Sequence, residues 1–108
     1  MKLANVLPDF ARELSEGLAA MGHRDLAGAI FDVDIIERCA CIEPGCVTFY
    51  AMPKDDAPRW PECERVIPPV MGVSCVYYQN GRVLWIEALG RPIDRATLDN
   101  NQPKQGAV

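Results

Sequence analysis

Cysteine is the residue type in this sequence that is best suited to chemistry, because thiols bind metals and undergo redox reactions. Cys39 and Cys41 stand two residues apart, so a strand would place both thiols on one face. Cys46 follows across a predicted turn, and Cys63 comes later, in a proline-rich segment. A closed structural zinc site uses about four ligands. These four cysteines are therefore candidate metal ligands.

Other interpretations of the cysteines stay open. The C-x-C-x4-C spacing is not that of a standard zinc knuckle, and small reduced cysteines are common in protein cores. The absence of a C-x-x-C motif argues against a redox pair. We therefore predict no bound metal and no cofactor, and we keep the metal site as an alternative.

Groups for other kinds of catalysis are sparse. The single histidine, His23, follows the first predicted helix, where an ordinary solvated side chain is the simplest expectation. Ser15 and Ser74 lie in no nucleophile motif, and the sequence has no glycine-rich phosphate loop. We predict that the chain is not an enzyme and has no catalytic residues.

The charge balance favours a protein partner over nucleic acid. Fifteen acidic residues against 11 basic ones give a formal net charge of -4, whereas a nucleic-acid binder needs surplus positive charge. Acidic residues and an exposed tryptophan beside proline suit an interface with a basic partner. The alternative is a solvated loop whose tryptophan folds back over the sheet. The candidate partner-binding residues are Asp32, Asp34, Glu37, Asp55, Asp56 and Trp60.

The length of the chain and its two ends predict its domain organisation and location. The 108 residues predict one domain over residues 1–99 and a flexible tail over residues 100–108. We expect no signal peptide and no membrane span, because no apolar run is long enough. An odd number of cysteines without a secretion signal predicts reduced thiols and a cytoplasmic location.

Helical periodicity marks both ends of the chain. Apolar residues at helical spacing predict a helix over residues 6–21, with Asn5 as N-cap, Pro8 in the first turn and Gly22 as the stop. A second short helix is predicted over residues 24–30, and a last one over residues 91–98.

The middle of the chain has strand signals. Alternating apolar and acidic residues from Phe31 predict a strand over residues 31–42, returning over residues 47–52. The intervening E-P-G-C matches a type II turn and would place Ile42 opposite Val47. Residues 53–61 predict an exposed loop, because they hold three prolines. A short strand is predicted over residues 65–67.

The strongest local signal is Asn80-Gly81, which predicts a hairpin of residues 73–79 and 82–88. An unbroken register would pair Tyr78 with Val83 and Val76 with Trp85. Antiparallel hairpins with helices segregated in the sequence predict an α+β two-layer sandwich. The second face of the sheet would need a cover, from the proline-rich loop, the last helix or a partner.

The segment R-C-A-C at residues 38–41, followed by C-V-T-F-Y at residues 46–50, resembles a group of small bacterial proteins of uncharacterised function. Residues 82–98, with W-I-E and R-P, are similar too, so the resemblance covers about half the chain. It implies a fold grouping and no chemistry.

In size and charge the chain also resembles the immunity proteins of bacterial toxin systems, including contact-dependent growth inhibition. That resemblance implies a non-enzymatic inhibitor that binds a cognate basic toxin, and no binding residues are carried over from it. We therefore predict an immunity-type protein-binding function. The alternatives are a cysteine-based metal-binding protein and a small-molecule-binding domain. The predicted pocket of the latter is lined by Arg38, Tyr50, Tyr77 and Tyr78.

Overall fold

The chain folds as an α+β protein, as the sequence predicts, with helices packed on an antiparallel sheet. The computed structural model describes residues 1–101. Its helices are α1 (Leu3–Val6), α2 (Pro8–Ala20), α3 (Arg24–Ala29) and α4 (Pro92–Asn101), with 3-10 turns at Ile30–Asp32 and Lys54–Asp56. Its strands are β1 (Glu37–Arg38), β2 (Phe49–Tyr50), β3 (Glu64–Val66), β4 (Val73–Gln79) and β5 (Arg82–Ala88).

The sheet has the spatial order β1-β2-β5-β4-β3, and every neighbouring pair is antiparallel. The long β4–β5 hairpin therefore lies near the centre, with the two shortest strands on one side of it. Helices α1 to α3 pack against one face and bury residues such as Phe10, Leu14 and Ile30 completely. Leu98 brings α4 into the same core.

The N-terminal helix is broken where one helix was predicted. Leu7 has a non-helical backbone between α1 and α2, because Pro8 starts the second helix and disfavours a helical conformation before it. Asn5 lies inside α1 and is not the N-cap. Gly22, at φ 86°, ends the segment as predicted.

The predicted strand over residues 31–42 is wrong for most of its length. The helical run of α3 continues into a 3-10 turn, which leaves Phe31 exposed. The next residues bind the N-terminus instead of a strand, as the Ile35 amide donates to the Met1 carbonyl over 2.7 Å. Val33 and Ile35 are still buried, so the alternation correctly predicted burial but not pairing.

The β4–β5 hairpin has the predicted bounds, with Asn80 and Gly81 at φ 54° and 75°. Its predicted register holds at Tyr78 and Val83, next to the turn. Beyond a β-bulge at Tyr77 it shifts, so that Tyr77 and not Val76 pairs with Trp85.

The second face of the sheet is covered by the loop before β3, one of the three covers considered. Met52 and Ala57 pack against a set that we call the outer cluster. The outer cluster consists of Cys63, Cys75, Tyr77, Leu84 and Trp85. Trp60 takes no part in that cover and is 49% exposed.

The last helix runs from Pro92 to Asn101, so the predicted tail over residues 100–108 begins inside α4. Residues 102–108 of that tail lie outside the described residues. Within residues 1–101, no helix combines the length and the apolar character needed to cross a membrane.

Candidate functional site: a cluster of three thiols

Three cysteines that are separate in the sequence meet where the β1–β2 ladder ends. The sulfur atoms of Cys39, Cys41 and Cys46 all lie within 4.8 Å of one another, and we call this set the thiol cluster. Cys46 is buried, whereas Cys39 and Cys41 are partly exposed. All five cysteines are free thiols. The thiol cluster therefore has a closed inner side and an accessible outer side.

The register of β1 and β2 explains why these thiols converge. Arg38 pairs with Phe49, and the Cys39 amide donates to the Thr48 carbonyl over 2.9 Å. Continued by two residues, this register sets Cys41 directly opposite Cys46. The predicted register, with Ile42 opposite Val47, is wrong by two residues.

The turn that joins the two sides lies at the predicted residues 43–46 but is not of the predicted type. The Cys46 amide donates to the Glu43 carbonyl over 3.1 Å, so a turn is present. A type II turn needs positive φ at Gly45, and Gly45 is not among the glycines with positive φ. Glycine is needed there for space, because a Cβ atom would lie 2.9 Å from the backbone nitrogen of Gly90.

Arg95, on α4, holds residues 41–46 in place, and we call this segment the thiol loop. Its guanidinium donates to the carbonyl oxygens of Cys41, Glu43 and Cys46 over 2.8, 2.9 and 3.1 Å. The same group lies 3.9 Å from the Cys41 sulfur. Arg95 therefore supplies donors to both sides of the loop and places a positive charge beside one thiol.

Asp99 links Arg95, on α4, to Arg38, on β1. It accepts hydrogen bonds from Arg95 over 3.2 Å and from Arg38, whose side chain is largely buried. Arg38, the main cause, and Arg95 hold the pKa of the Asp99 carboxyl below its usual range. The two arginines and the ionised aspartate together carry a formal charge of +1 next to the thiol cluster.

The pKa values of Cys39 and Cys41 are shifted in opposite directions. Hydrogen bonds from the Cys46 thiol, the Glu43 backbone, the Cys39 thiol and Arg95 lower the pKa of Cys41 to about 7. For Cys39, a backbone hydrogen bond from Cys41 lowers the pKa, but burial and the neighbouring thiols outweigh it and the net pKa is raised. Cys41 therefore loses its proton before Cys39, because the neighbouring groups stabilise the Cys41 thiolate.

Cys63, the expected fourth ligand, lies elsewhere. It belongs to the outer cluster, together with Cys75, and both are buried among aromatic side chains. Burial raises the pKa of both thiols. Among the described residues, the group of potential metal ligands contains the three cysteines of the thiol cluster and not Cys63.

The acidic candidates for partner binding are divided among several surroundings. Asp34 pairs with Lys2 over 3.3 Å and with the N-terminus over 3.7 Å, and Asp32 is exposed nearby. The Glu37 carboxylate accepts a hydrogen bond from the Lys54 amide over 3.1 Å, which joins it to the turn that carries Asp55 and Asp56.

Trp60 lies beside part of that acidic segment. It lines a shallow surface depression together with Asp56, Arg59 and Glu62. The guanidinium carbon of Arg65 lies 4.1 Å from the centre of the tryptophan ring, a cation–π contact. The ring is thus fixed on one side and open to solvent on the other.

The four residues predicted to line a small-molecule pocket do not share one. Tyr77 is stacked on Trp85 in the outer cluster, whereas Tyr78 packs against the helical core and lies edge-on to His23. Arg38 binds Asp99. A pocket between helices and sheet lined by these side chains is therefore not formed.

Arg95 and Asp99 were missed as site residues. Their four-residue spacing is a signal for an ion pair on a helix, which the structure contains, but the predicted helix ended one residue before Asp99. Nothing in the sequence connects that pair with the cysteines about 50 residues earlier. Only the packing of α4 against the thiol loop makes this connection.

Comparison with known proteins adds no relative: no family model, no curated protein and no solved structure matches this chain. The resemblances noted from the sequence therefore stay predictions.

Proposed function

We propose that this chain is a small metal-binding protein whose site is the thiol cluster, with zinc or another thiophilic divalent ion as the metal. The convergence of three sulfur atoms within 4.8 Å carries the proposal. Sulfur ligands at about 2.3 Å from a tetrahedral zinc ion lie about 3.8 Å from one another. Side-chain rotations that move each sulfur atom by about 1 Å or less would bring the three atoms to that spacing.

The charges around the cluster favour a divalent ion. Three thiolates and one divalent ion sum to -1, and the guanidinium of Arg95, 3.9 Å from the Cys41 sulfur, places positive charge beside them. A buried or partly buried metal centre is costly when its charge is unbalanced, because desolvation is not repaid. The low pKa of Cys41, about 7, also reduces the cost of removing a proton on binding.

Three protein ligands leave one coordination position for water or another small ligand. This arrangement is typical of exchangeable or reactive zinc rather than of a closed structural site. The partly exposed Cys39 and Cys41 are on the side where that ligand would enter. Unpaired thiols need a reducing compartment, so the proposal includes a cytoplasmic location.

Cobalt titration of the reduced protein tests the site, because thiolate ligands give Co²⁺ strong near-ultraviolet charge-transfer bands. We expect one ion per chain, displaced by Zn²⁺. Serine at Cys39, Cys41 or Cys46 should weaken binding by more than the roughly 10–100-fold that loss of an outer partner costs. Cys63→Ser is the matched control and should bind as the native chain does. A native chain without charge-transfer bands would contradict the proposal.

A second candidate function is the inhibition of a basic protein partner, such as a toxin, by binding. The supporting observation is that Asp32, Asp55 and Asp56 are exposed and take part in no ion pair within residues 1–101. Trp60 offers half of its ring beside Asp56. Unneutralised carboxylates around an aromatic anchor suit a surface rich in lysine and arginine.

Binding to the product of the neighbouring gene tests this second function. A specific complex should weaken with increasing salt, and an Asp55→Asn, Asp56→Asn double variant should slow association. Asp9→Asn, which removes an exposed charge on α2, is the control. Absence of a complex, or one indifferent to salt and to the double variant, would remove this candidate.

A further inference from the structure

We propose that the thiol cluster also reacts with hydroperoxides and forms a reversible disulfide between Cys41 and Cys46. The proposal uses the same sulfur atoms as the metal site but does not depend on a metal. It rests on the proximity of the thiols, on their unequal exposure and on the turn that brings Cys46 back towards Cys41.

The accessible thiol and its partner have the arrangement of an attacking and a resolving cysteine. Cys41 is partly exposed on the outer side of the cluster, and Cys46 is buried behind it. Redox-sensitive cysteines are accessible thiols that lie next to a second thiol. The guanidinium of Arg95, 3.9 Å from the Cys41 sulfur, stabilises negative charge on the attacking atom.

The turn between them selects Cys46 over Cys39 as the resolving residue. The hydrogen bond from the Cys46 amide to the Glu43 carbonyl closes that turn, and the sulfur atoms of Cys41 and Cys46 lie within 4.8 Å of each other. A disulfide bond is about 2.05 Å long, so side-chain rotation closes the remaining gap. Residues i and i+2 of an extended chain have Cα atoms about 6.6 Å apart, near the upper limit for a disulfide.

The chemistry takes two steps. The Cys41 thiolate attacks one peroxide oxygen: an S–O bond forms, the O–O bond breaks, and the leaving oxygen takes a proton to become water or an alcohol. The Cys46 sulfur then attacks the Cys41 sulfur: the S–S bond forms, the S–O bond breaks, and the hydroxide leaves as water with the Cys46 proton. The two thiols lose two electrons, which reduce the peroxide.

The test uses metal-free, reduced protein in the presence of a chelator, treated with hydrogen peroxide. We expect two of the five thiols to disappear and the intact mass to fall by two hydrogen atoms, with full recovery in dithiothreitol. A protease that cleaves after glutamate releases residues 38–62 as one fragment, because Glu43 precedes a proline and is not cleaved. A prolyl endopeptidase then cleaves after Pro44 and separates Cys41 from Cys46. The resulting fragments, which begin at residues 38 and 45, should stay joined until reduction.

Variants identify the bond. Cys39→Ser should keep the joined fragments, whereas Cys46→Ser should lose them and accumulate higher oxides at Cys41. Cys63→Ser and Cys75→Ser are matched controls and should react at the native rate. Fragments that separate in the oxidised native protein, or in oxidised Cys39→Ser, would overturn the proposal. Faster loss of Cys63 or Cys75 than of Cys41 would overturn it too.

The outcome is separable from that of the metal experiment. Cobalt binding is measured on reduced protein, and oxidation is measured without metal, so either proposal can fail while the other stands. When both hold, bound Zn²⁺ should slow disulfide formation, and the oxidised protein should bind no Co²⁺, because two of its three sulfur ligands are then occupied.

Discussion

The thiol cluster and the outer cluster contain the same reactive group in opposite surroundings. In the thiol cluster the sulfurs face one another, backbone hydrogen-bond donors and the guanidinium of Arg95. In the outer cluster Cys63 and Cys75 face aromatic rings, with Tyr77 stacked on Trp85 at a centroid distance of 4.0 Å. Hydrogen bonds lower the pKa of Cys41 to about 7, whereas burial raises the pKa of Cys63 and Cys75.

The difference shows that burial alone does not decide what a cysteine does. Cys46 is as buried as Cys63, at 4% exposure each, yet Cys46 lies against two other thiols. Apolar walls keep a thiol protonated and make it part of the packing. Neighbouring donors and sulfurs make the same group a ligand or a nucleophile.

The largest expected effect concerns the packing role of the outer cluster. Trp85→Ala removes a side chain that is 8% exposed and lies between Tyr50 and Tyr77. We expect a loss of about 3–5 kcal/mol in the free energy of unfolding. Ile42→Ala, next to the thiol cluster and 97% exposed, should change it by less than about 0.5 kcal/mol. Urea unfolding monitored by circular dichroism measures both, and similar losses would contradict the comparison.

A smaller effect is expected at the turn under the thiol cluster. Gly45→Ala places a Cβ atom 2.9 Å from the backbone of Gly90, and the backbone cannot move aside cheaply. We expect about 1–3 kcal/mol of destabilisation and weaker Co²⁺ binding, because the turn positions Cys46. Gly28→Ala is the control, since its Cβ would meet nothing within 4 Å. Unchanged stability and metal affinity in Gly45→Ala would show that the turn does not position Cys46 for metal binding.

Alkylation rates provide a more direct comparison of the thiols. At pH 7 a thiol with a pKa of about 7 is half ionised, against about 1% for one at the ordinary value of 9.0. The lower pKa also reduces nucleophilicity, by about eightfold at a Brønsted slope of about 0.45. The net expectation is that iodoacetamide modifies Cys41 about sixfold faster than a thiol of ordinary pKa. Cys63 and Cys75 should be modified more slowly than such a thiol. Equal rates, measured by peptide mass, would refute this.

A further effect is expected in the pH dependence of stability. The pKa of Cys41 is lower in the folded protein, so between pH 7 and 9 the unfolded chain binds more protons there and stability rises with pH. The raised pKa of Cys63 and Cys75 has the opposite sign and reduces stability above pH 9. The stability difference between the native chain and Cys41→Ser should therefore grow from pH 7 to 9. Urea midpoints in the presence of reductant measure it, and a constant or shrinking difference would contradict the assignment.

Sequence patterns predicted the fold class and the central hairpin because those signals are local. Asn80-Gly81 specifies its turn through positive φ, which few other residue pairs tolerate. The register beyond Tyr77 could not be predicted, because the bulge depends on how both faces of the sheet pack. Residues 31–35 alternate as a strand does, but their partners are the N-terminus and the helices.

The candidate site was predicted in part. Cys39, Cys41 and Cys46 were singled out from their spacing, and a four-residue loop brings Cys41 and Cys46 together without a C-x-x-C motif. The choice of Cys63 as a fourth ligand was wrong, because the loop before β3 places it in the outer cluster and not with the other three sulfurs. Arg95 was not predicted, since its role depends on the docking of α4.

The dependence of the thiol loop on Arg95 sets an order of events during synthesis. A ribosome adds the three cysteines before it reaches β4, and the arginine that binds their loop is made about 50 residues after Cys46. Until α4 emerges, the carbonyl groups of Cys41, Glu43 and Cys46 lack the guanidinium that binds them in the folded chain. Completion of the last helix therefore fixes the loop and places a positive charge beside the Cys41 sulfur.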